Sequence, residues 1–305
     1  MRPSSVSSTT TRPACFASRS APVDVQSIAV VGAGTMGRGI AYAAVVGGFR
    51  TLLTDVSEEI LAQAQTYIRE SLQGAKQRGK WDGDPDQAVA ALTLTPRLEE
   101  AAAADLVIEA VPEDIRLKVE TFGKLDRVAR PDCIFASNTS SLSISEISAA
   151  TTRGPRFLGM HFFNPVPKMK LIELVYTAET AEETLAAAEA VARKMGKQTV
   201  RVKESPGFAT SRINALIGNE AFRMLEEGIA TAEDIDKAVK LGLNHPMGPF
   251  EMADLVGLDV RLGVLEYLHR TLGERFKPTR THIEHVQAGR LGRKVGRGIY
   301  DYKKK

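Results

Sequence analysis

The stretch IAVVGAGTMGRG at residues 28–39 decides the fold of this chain. An apolar run leads into a turn in which Gly32, Gly34 and Gly37 have the spacing G-x-G-x-x-G. In a strand–turn–helix unit the first glycine makes the tight turn, the second lets the backbone approach a pyrophosphate, and the third allows close helix–strand packing. The start of the helix offers free N–H groups and a positive dipole end to phosphate. The stretch therefore predicts a Rossmann-type unit that binds a dinucleotide.

An acidic residue follows at the end of the next apolar run. Asp55 closes the run RTLLTD. A carboxylate in this position accepts hydrogen bonds from the ribose hydroxyls of adenosine and repels the 2′-phosphate of NADP. The sequence thus predicts NAD as the cofactor, with Thr35 and Met36 of the glycine turn also in contact with it. The alternative is a surface aspartate that only ends a strand.

Short apolar runs alternate with helical stretches from residue 27 to about residue 203, which is typical of an α/β protein with a parallel, doubly wound sheet. The predicted strands cover 27–32, 50–55, 91–95, 105–111, 133–138 and 157–162. One helix is predicted over 57–80, and another is predicted over 114–130. In the first, four apolar residues share one face at helical spacing: Ile60, Ala64, Ile68 and Leu72.

The strand signal stops after the breaker Ser205-Pro206-Gly207. Helices are predicted beyond it at 208–227, 231–242, 250–272 and 280–289. The chain is therefore expected to have three parts. These are an N-terminal extension (1–24), an NAD-binding Rossmann domain (25–204) and an all-helical C-terminal domain (205–305).

The N-terminal extension is rich in Ser and Thr and has no acidic residue before Asp24. A segment this polar buries too little apolar surface to order itself, so it is predicted to be disordered. The alternative is an organelle transit peptide. A cytoplasmic location is expected, with a mitochondrial location as the alternative if the extension is such a peptide.

The composition of the 305 residues, with 43% apolar and 25% charged, is that of a globular protein. No apolar run approaches the roughly 20 residues of a membrane helix, so no membrane association is expected. A net charge of +3 is too small to argue for nucleic acid. Cys15 and Cys133 are the only cysteines, so neither a disulfide framework nor a metal site is predicted.

Polar side chains follow the fifth and sixth predicted strands. Asn138, Ser140 and Ser141 come after the fifth, and His161 ends the sixth, at the sheet edge where ligands bind in this class of fold. Oxidation of an alcohol needs a base for the hydroxyl proton, and histidine suits this task near neutral pH. Glu173 would orient the imidazole if its strand returned beside that of His161. The alternative is a core histidine bonded to backbone.

The chain resembles the L-3-hydroxyacyl-CoA dehydrogenase family, close to its short-chain 3-hydroxybutyryl-CoA members, over residues 27 to 302. The similarity is carried by seven motifs in order: VGAGTMGRGIA, DLVIEAVPED, FASNTSSLSI, GMHFFNPVPKMKLIE, ESPGF, KLGLNHPMGPFEMAD and GRLGRKVGRGIYDY. The resemblance implies a nucleotide-binding domain followed by a helical domain that binds substrate and forms a homodimer. It implies reversible, NAD-dependent oxidation of (S)-3-hydroxyacyl-CoA to 3-oxoacyl-CoA.

The same resemblance implies roles for individual residues. His161 would be the general base, Glu173 its partner, and Ser140 a contact of both substrate and cofactor. Four further residues would contact the cofactor: Glu113, Lys118, Asn164 and Lys294. Ser71 would contact CoA, and Arg78 stands where the family often has a lysine for CoA.

One position departs from the family pattern. An asparagine that touches the substrate oxygen usually precedes the arginine after ESPGF, and Ser211 stands there in PGFATSRINAL. Ser211 can still donate a hydrogen bond but is shorter, so either a water bridges the gap or Asn214, one helical turn further on, takes over the contact. It is therefore predicted as a catalytic-site residue. Two other functions stay open: a dehydrogenase of the same fold for a free hydroxy acid or sugar acid, and a non-catalytic nucleotide-binding protein.

Overall fold

A computed structural model describes residues 23–302. Eight strands lie in this part of the chain: β1 Ser27–Val31, β2 Arg50–Thr54, β3 Thr93–Thr95, β4 Leu106–Glu109, β5 Ile134–Ser137, β6 Phe157–Phe162, β7 Leu171–Tyr176 and β8 Gln198–Lys203. The α-helices of the same part are α1 Thr35–Val46, α2 Glu58–Gln77, α3 Pro85–Ala90, α4 Ile115–Asp126, α5 Ile144–Ser148, α6 Glu182–Lys194, α7 Thr210–Glu226, α8 Ala232–Gly242, α9 Pro249–Val256, α10 Leu258–Leu272 and α11 Arg280–Gln287. Residues 1–22, with Cys15 and nearly all of the predicted disordered extension, lie outside the described residues.

The eight strands form one sheet in the order β3-β2-β1-β4-β5-β6-β7-β8. The first six are parallel and give the strand order of a doubly wound dinucleotide-binding fold, so the fold class predicted from the sequence is confirmed. Alternate residues of β1 face opposite layers. Ile28 and Val30 pack with α1, α2 and α6, whereas Ala29 and Val31 pack with α4 and α5.

The strand that follows β6 reverses direction. β7 pairs antiparallel with β6, and this register sets Glu173 directly opposite His161. Side chains at directly opposite positions of an antiparallel pair lie on the same face and within contact. The strand of Glu173 therefore does return beside that of His161, as the predicted role of Glu173 requires. β8 then pairs parallel with β7 at the sheet edge.

After β8 the described chain is helical, and Asp254 and Asp236 fasten its end to the helices. The Asp254 carboxylate accepts the backbone N–H groups of Ile299 and Tyr300 at 2.9 Å each. The Asp236 carboxylate accepts the Tyr300 hydroxyl at 2.8 Å. These bonds hold the C-terminal segment against α8 and α9.

Two predictions made from the sequence are wrong in detail. The helix predicted over 250–272 is two helices, because Gly257 has φ 110°, a left-handed conformation that ends α9 and that side-chain-bearing residues rarely adopt. The helix α2 buries Ala64, Ile68 and Leu72 as predicted, but Ile60 is 38% exposed. The neighbouring Leu61 fills the core position instead.

Asp105 ties the start of the sheet together. Its carboxylate accepts the N–H groups of Gln26 and Ser27, at 2.9 and 2.8 Å, and it pairs with Arg130 at 2.6 Å. Burial raises the pKa of Asp105, but these hydrogen bonds outweigh burial and bring it to about 2. Because the folded pKa lies below the unfolded one, the ionised form stabilises the fold above pH 4, and this stabilisation is lost as the pH falls through about 2.

Asp105→Asn is expected to lower the free energy of unfolding at pH 7 by about 2 kcal/mol. The reason is that an uncharged amide cannot replace the carboxylate as the acceptor of all these hydrogen bonds. The difference between variant and wild type should shrink as the pH falls from 4 to 2. Urea unfolding at several pH values measures both effects. The exposed Asp86→Asn serves as the control. A pH-independent difference between the Asp105 variant and wild type would contradict the linkage.

Among the helices of residues 23–302, none combines the length and apolar character that crossing a bilayer requires.

Candidate active site

The glycine turn has the geometry that close approach of a dinucleotide needs. Gly32 has φ 97°, and a Cβ there would lie 2.7 Å from the carbonyl oxygen of Ala110. A Cβ on Gly37 would lie 1.7 Å from the carbonyl oxygen of Gly32, so this glycine lets α1 pack on the turn. Around Gly34 a Cβ would meet no atom within 4 Å, which leaves its backbone accessible. Gly32 and Gly37 thus allow close packing at the turn, whereas Gly34 faces open space.

Asp55 lies at the end of β2 beside this turn. Its Oδ2 accepts the backbone N–H of Ala33 at 2.8 Å, and its Oδ1 accepts that of Ser57 at 3.1 Å. The carboxylate is therefore fixed next to the glycines, with Thr35 and Met36 at the start of α1. The residues present fit a dinucleotide: an approachable backbone, a helix N-terminus for phosphate and an acid for ribose hydroxyls.

His161 and Glu173 form a buried pair on the adjacent strands β6 and β7. The His161 Nδ1 lies 2.7 Å from Glu173 Oε2. A carboxylate only accepts hydrogen bonds, so Nδ1 carries the proton and Nε2 is the ring's free acceptor. Burial raises the pKa of Glu173, but the hydrogen bonds from His161 and Thr210 outweigh burial and hold the pKa below its usual value. The carboxylate is thus ionised at neutral pH.

Glu173 also holds the first turn of α7. Its Oε1 accepts the backbone N–H groups of Ala209 and Thr210 at 3.2 and 2.9 Å, and its Oε2 accepts the Thr210 hydroxyl at 3.0 Å. The sequence reading missed Thr210. The local sequence PGFATS does not predict this role of Thr210, because it does not show that the start of α7 faces β7.

Glu113 holds the loop that carries Ser140. Its Oε1 accepts the Thr139 hydroxyl at 2.6 Å and the Ser140 N–H at 2.9 Å. Glu113 itself lies 3.4 Å from the buried ammonium of Lys118, whose closer partner is Glu109 at 2.7 Å. Glu113 thus links Lys118 to the loop that carries Ser140. Their contact with the cofactor stays a prediction.

Glu109 is a buried residue of this network that the sequence reading missed. Its carboxylate accepts the Ser137 hydroxyl at 2.6 Å as well as the Lys118 ammonium. Burial raises the pKa of Glu109, and the charge of Lys118 offsets part of that rise. An acid inside the apolar strand DLVIEAV was the available signal, since a buried carboxylate requires partners of this kind.

A cavity of about 380 Å³ brings several predicted residues together. Ser140, His161 and Ser211 line it, with Asn214 one helical turn beyond Ser211. The rest of the wall is largely apolar and comes from Phe163, Thr210, Ala215, Val256, Val260, Arg261 and Val264. The Phe163 ring lies 4.5 Å from the His161 ring, centroid to centroid. The sheet edge and helices α7 and α10 therefore enclose a site for an organic substrate beside His161.

The other predicted residues lie outside this cavity. Asn164 is exposed and precedes Pro165 through a cis peptide bond. The Lys294 ammonium pairs with both Asp259 oxygens at 2.6 and 2.7 Å. Ser71 is half-buried and Arg78 is exposed, at the end of α2. The roles proposed for these four residues stay predictions.

Across residues 23–302, no group of three or more His, Cys, Asp or Glu side chains has the arrangement of a metal site. An imidazole oriented by a carboxylate, at the same edge of the sheet as a Rossmann glycine turn, is the arrangement of a dehydrogenase that transfers hydride to a nicotinamide and a proton to a protein base.

Comparison with known proteins identifies the family. Residues 27–205 match the family described as "3-hydroxyacyl-CoA dehydrogenase, NAD binding domain", and residues 207–302 match "3-hydroxyacyl-CoA dehydrogenase, C-terminal domain". The chain belongs to the 3-hydroxyacyl-CoA dehydrogenase family, and it is an oxidoreductase with NAD as its cofactor. The resemblance seen in the sequence is confirmed.

Individual relatives are similar over nearly the whole chain. The "Probable 3-hydroxybutyryl-CoA dehydrogenase" of Bacillus subtilis is 43% identical over 285 residues, which is 93% of this chain and 99% of the relative. The mitochondrial hydroxyacyl-coenzyme A dehydrogenase of Rattus norvegicus is 40% identical and covers 92% of each chain. The crystal structure of (S)-3-hydroxybutyryl-CoA dehydrogenase PaaH1 from Ralstonia eutropha superposes with a TM-score of 0.88 at 42% identity, over 92% of this chain and 100% of that one.

Proposed function

We propose that this protein catalyses the reversible, NAD-dependent oxidation of short-chain (S)-3-hydroxyacyl-CoA, such as 3-hydroxybutyryl-CoA, to 3-oxoacyl-CoA. The observation that carries the proposal is the His161–Glu173 pair at the wall of the cavity that also contains Ser140. The names of the relatives support an acyl-CoA substrate.

The geometry supports a proton path through the following side chains. His161 Nε2 takes the proton of the 3-hydroxyl in the oxidative direction and returns it in the reductive direction. Glu173 fixes the tautomer and offsets the positive charge of the imidazolium. Ser140 donates a hydrogen bond to the substrate oxygen, and Ser211 adds a second donor from α7. Bound NAD supplies the hydride acceptor.

The cofactor contacts follow the same division of the chain. Residues 25–204 bind NAD through Gly32, Gly34, Gly37, Thr35, Met36 and Asp55, with Glu113, Lys118, Ser140 and Asn164 toward the nicotinamide end. Lys294 contacts the cofactor from the helical domain, residues 205–305. Ser71 and Arg78 on α2 contact CoA, which a half-buried hydroxyl and an exposed guanidinium permit.

The helical domain forms the contact of a homodimer. Leu241, Leu243 and Ile229 are 75%, 66% and 62% exposed, and Ile213 on α7 is 59% exposed. Several large apolar side chains exposed on one domain favour a protein interface over contact with water. The cytoplasmic location, with its mitochondrial alternative, stays a prediction because residues 1–22 lie outside the described residues.

Reduction of acetoacetyl-CoA, followed by NADH absorbance, tests the function directly. Acetoacetyl-CoA should be reduced with NADH far faster than with NADPH, and far faster than free acetoacetate with NADH. A preference for free acetoacetate would instead support the dehydrogenase for a free acid. Absence of turnover with every substrate, while NADH binds, would support the non-catalytic nucleotide-binding protein.

Gly34→Ala and Gly37→Ala distinguish a glycine that contacts the cofactor from one that the fold requires. Gly34→Ala is expected to keep the melting temperature of wild type and to raise the Kd for NADH about tenfold, because the added methyl projects into open space beside the phosphates. Gly37→Ala is expected to destabilise the protein by several kcal/mol, because its Cβ collides with the Gly32 carbonyl. Thermal unfolding and NADH fluorescence titration measure both. Equal destabilisation by the two variants would contradict the assignment.

A further inference from the structure

Arg261 is a buried cation in the wall of the cavity that contains His161. It lies on α10 and is 7% exposed. Its one hydrogen bond within residues 23–302 runs from Nη2 to the backbone carbonyl oxygen of Asn214, at 2.8 Å. A guanidinium has five N–H donors, so one neutral acceptor leaves most of its hydrogen-bonding capacity unused.

No carboxylate of the described residues forms an ion pair with Arg261. The other buried Lys and Arg side chains within residues 23–302 are paired: Lys118 with Glu109 at 2.7 Å, and Arg153 with Asp126 at 2.5 Å. Burial lowers the pKa of Arg261 to about 10, so the side chain is still charged at neutral pH. A buried charge without a counter-ion is costly unless an anion completes the site.

The rest of the cavity wall on this side is apolar. Val256, Val260 and Val264 line it from the α9–α10 segment, and Ala215 lines it from α7. A single cation among valines favours an occupant with an apolar stem and one anionic group. A bidentate carboxylate is the group that a guanidinium binds best in such surroundings.

The acyl group of the substrate is the part that reaches this wall. Its third carbon must lie beside His161, which lines the same cavity as Arg261. The long pantetheine arm separates the phosphates of CoA from that carbon, so they remain outside this small space. The anion that Arg261 meets is therefore carried by the acyl chain.

We infer that Arg261 selects CoA thioesters of 3-hydroxy- and 3-oxo-dicarboxylic acids, by binding the carboxylate at the far end of the acyl chain. The inference rests on the proposed function and names the substrate class of the same site. The carboxylate completes the hydrogen bonding of the guanidinium, while the methylenes before it pack against the valines of α10.

A pair of six-carbon substrates tests the inference without any mutation. 3-Oxoadipyl-CoA and 3-oxohexanoyl-CoA differ only in that the first ends in a carboxylate and the second in a methyl group. Wild-type enzyme with NADH is expected to show a kcat/KM at least tenfold higher for the carboxylated substrate. A higher value for the uncharged substrate overturns the inference and leaves the proposed function intact. Failure to reduce either substrate or acetoacetyl-CoA overturns both.

Arg261→Met keeps much of the length of the side chain and removes its charge. This variant is expected to lose about 100-fold in kcat/KM for 3-oxoadipyl-CoA, because a buried charge pair is broken. Its loss of kcat/KM for 3-oxohexanoyl-CoA should be much smaller, because that substrate has no carboxylate for Arg261 to bind. The exposed Arg270→Met on the same helix is the matched control. An equal loss on both substrates would show that Arg261 only braces α7 or contacts the thioester. The wild-type substrate pair decides the matter if Arg261→Met does not fold.

Discussion

His161→Asn is expected to lower kcat for the reduction of acetoacetyl-CoA by about 1,000-fold while the Kd for NADH changes less than twofold. Asparagine keeps a polar side chain on β6 but has no group that exchanges a proton near neutral pH. General acid–base catalysis by one positioned side chain contributes about 10²–10⁴-fold. Steady-state kinetics and NADH fluorescence titration measure the two quantities.

The control for this variant is His245→Asn, since His245 lies outside the cavity that contains His161. It should have the kcat of wild type. A His161→Asn enzyme with a kcat within tenfold of wild type would remove the histidine from the proton path. Loss of NADH binding in parallel with kcat would instead show that the change disturbs the cofactor site.

Glu173→Gln is expected to lower kcat by about 100-fold, with KM for acetoacetyl-CoA changed less than threefold. The amide has nearly the same shape and still accepts the Thr210 N–H. Without its negative charge, the side chain no longer offsets the imidazolium, and an amide N–H turned toward His161 would favour the wrong tautomer. The split between kcat and KM distinguishes this role from a structural one, because a displaced α7 would change substrate binding as well.

Glu120→Gln is a matched control, since Glu120 forms an exposed pair with Lys124 on α4. Such pairs contribute little to stability, so this variant should behave as wild type. Substrate and cofactor kinetics of Glu173→Gln indistinguishable from those of wild type would mean that the carboxylate serves only to hold α7.

The sequence predicts the parts of the fold that follow from local pattern. The pattern of residues 28–55 predicted the glycine turn and Asp55, and the alternating apolar runs predicted the first six strands. The His161–Glu173 contact needed one more fact, the antiparallel return of β7, which no local pattern contains. β8 escaped prediction because it is an edge strand with a largely exposed sequence, in which Val200 is 42% exposed.

The unpredicted residues of the site share a physical cause. Thr210 and Arg261 acquire their positions through packing of α7 and α10 against the sheet edge, over long separations in the chain. An arginine at helical spacing looks like any solvated surface charge until the neighbouring helix covers it. Glu109 is different, because an acid inside an apolar strand already signals a buried network. Tertiary packing, rather than propensity, therefore decides which polar residues enter the cavity.

The four hydrogen bonds of Glu173 have a consequence for how the enzyme could be rebuilt. One carboxylate both orients the imidazole on the sheet and caps the first turn of the helical half. Glu173 thereby fixes the position of the helical half relative to the imidazole that exchanges the proton. A chimaera that takes its helical half from a relative would have to match the start of α7 to β7 within a fraction of an ångström. A mismatch there would leave a well-folded protein whose imidazole points a few degrees away from its substrate.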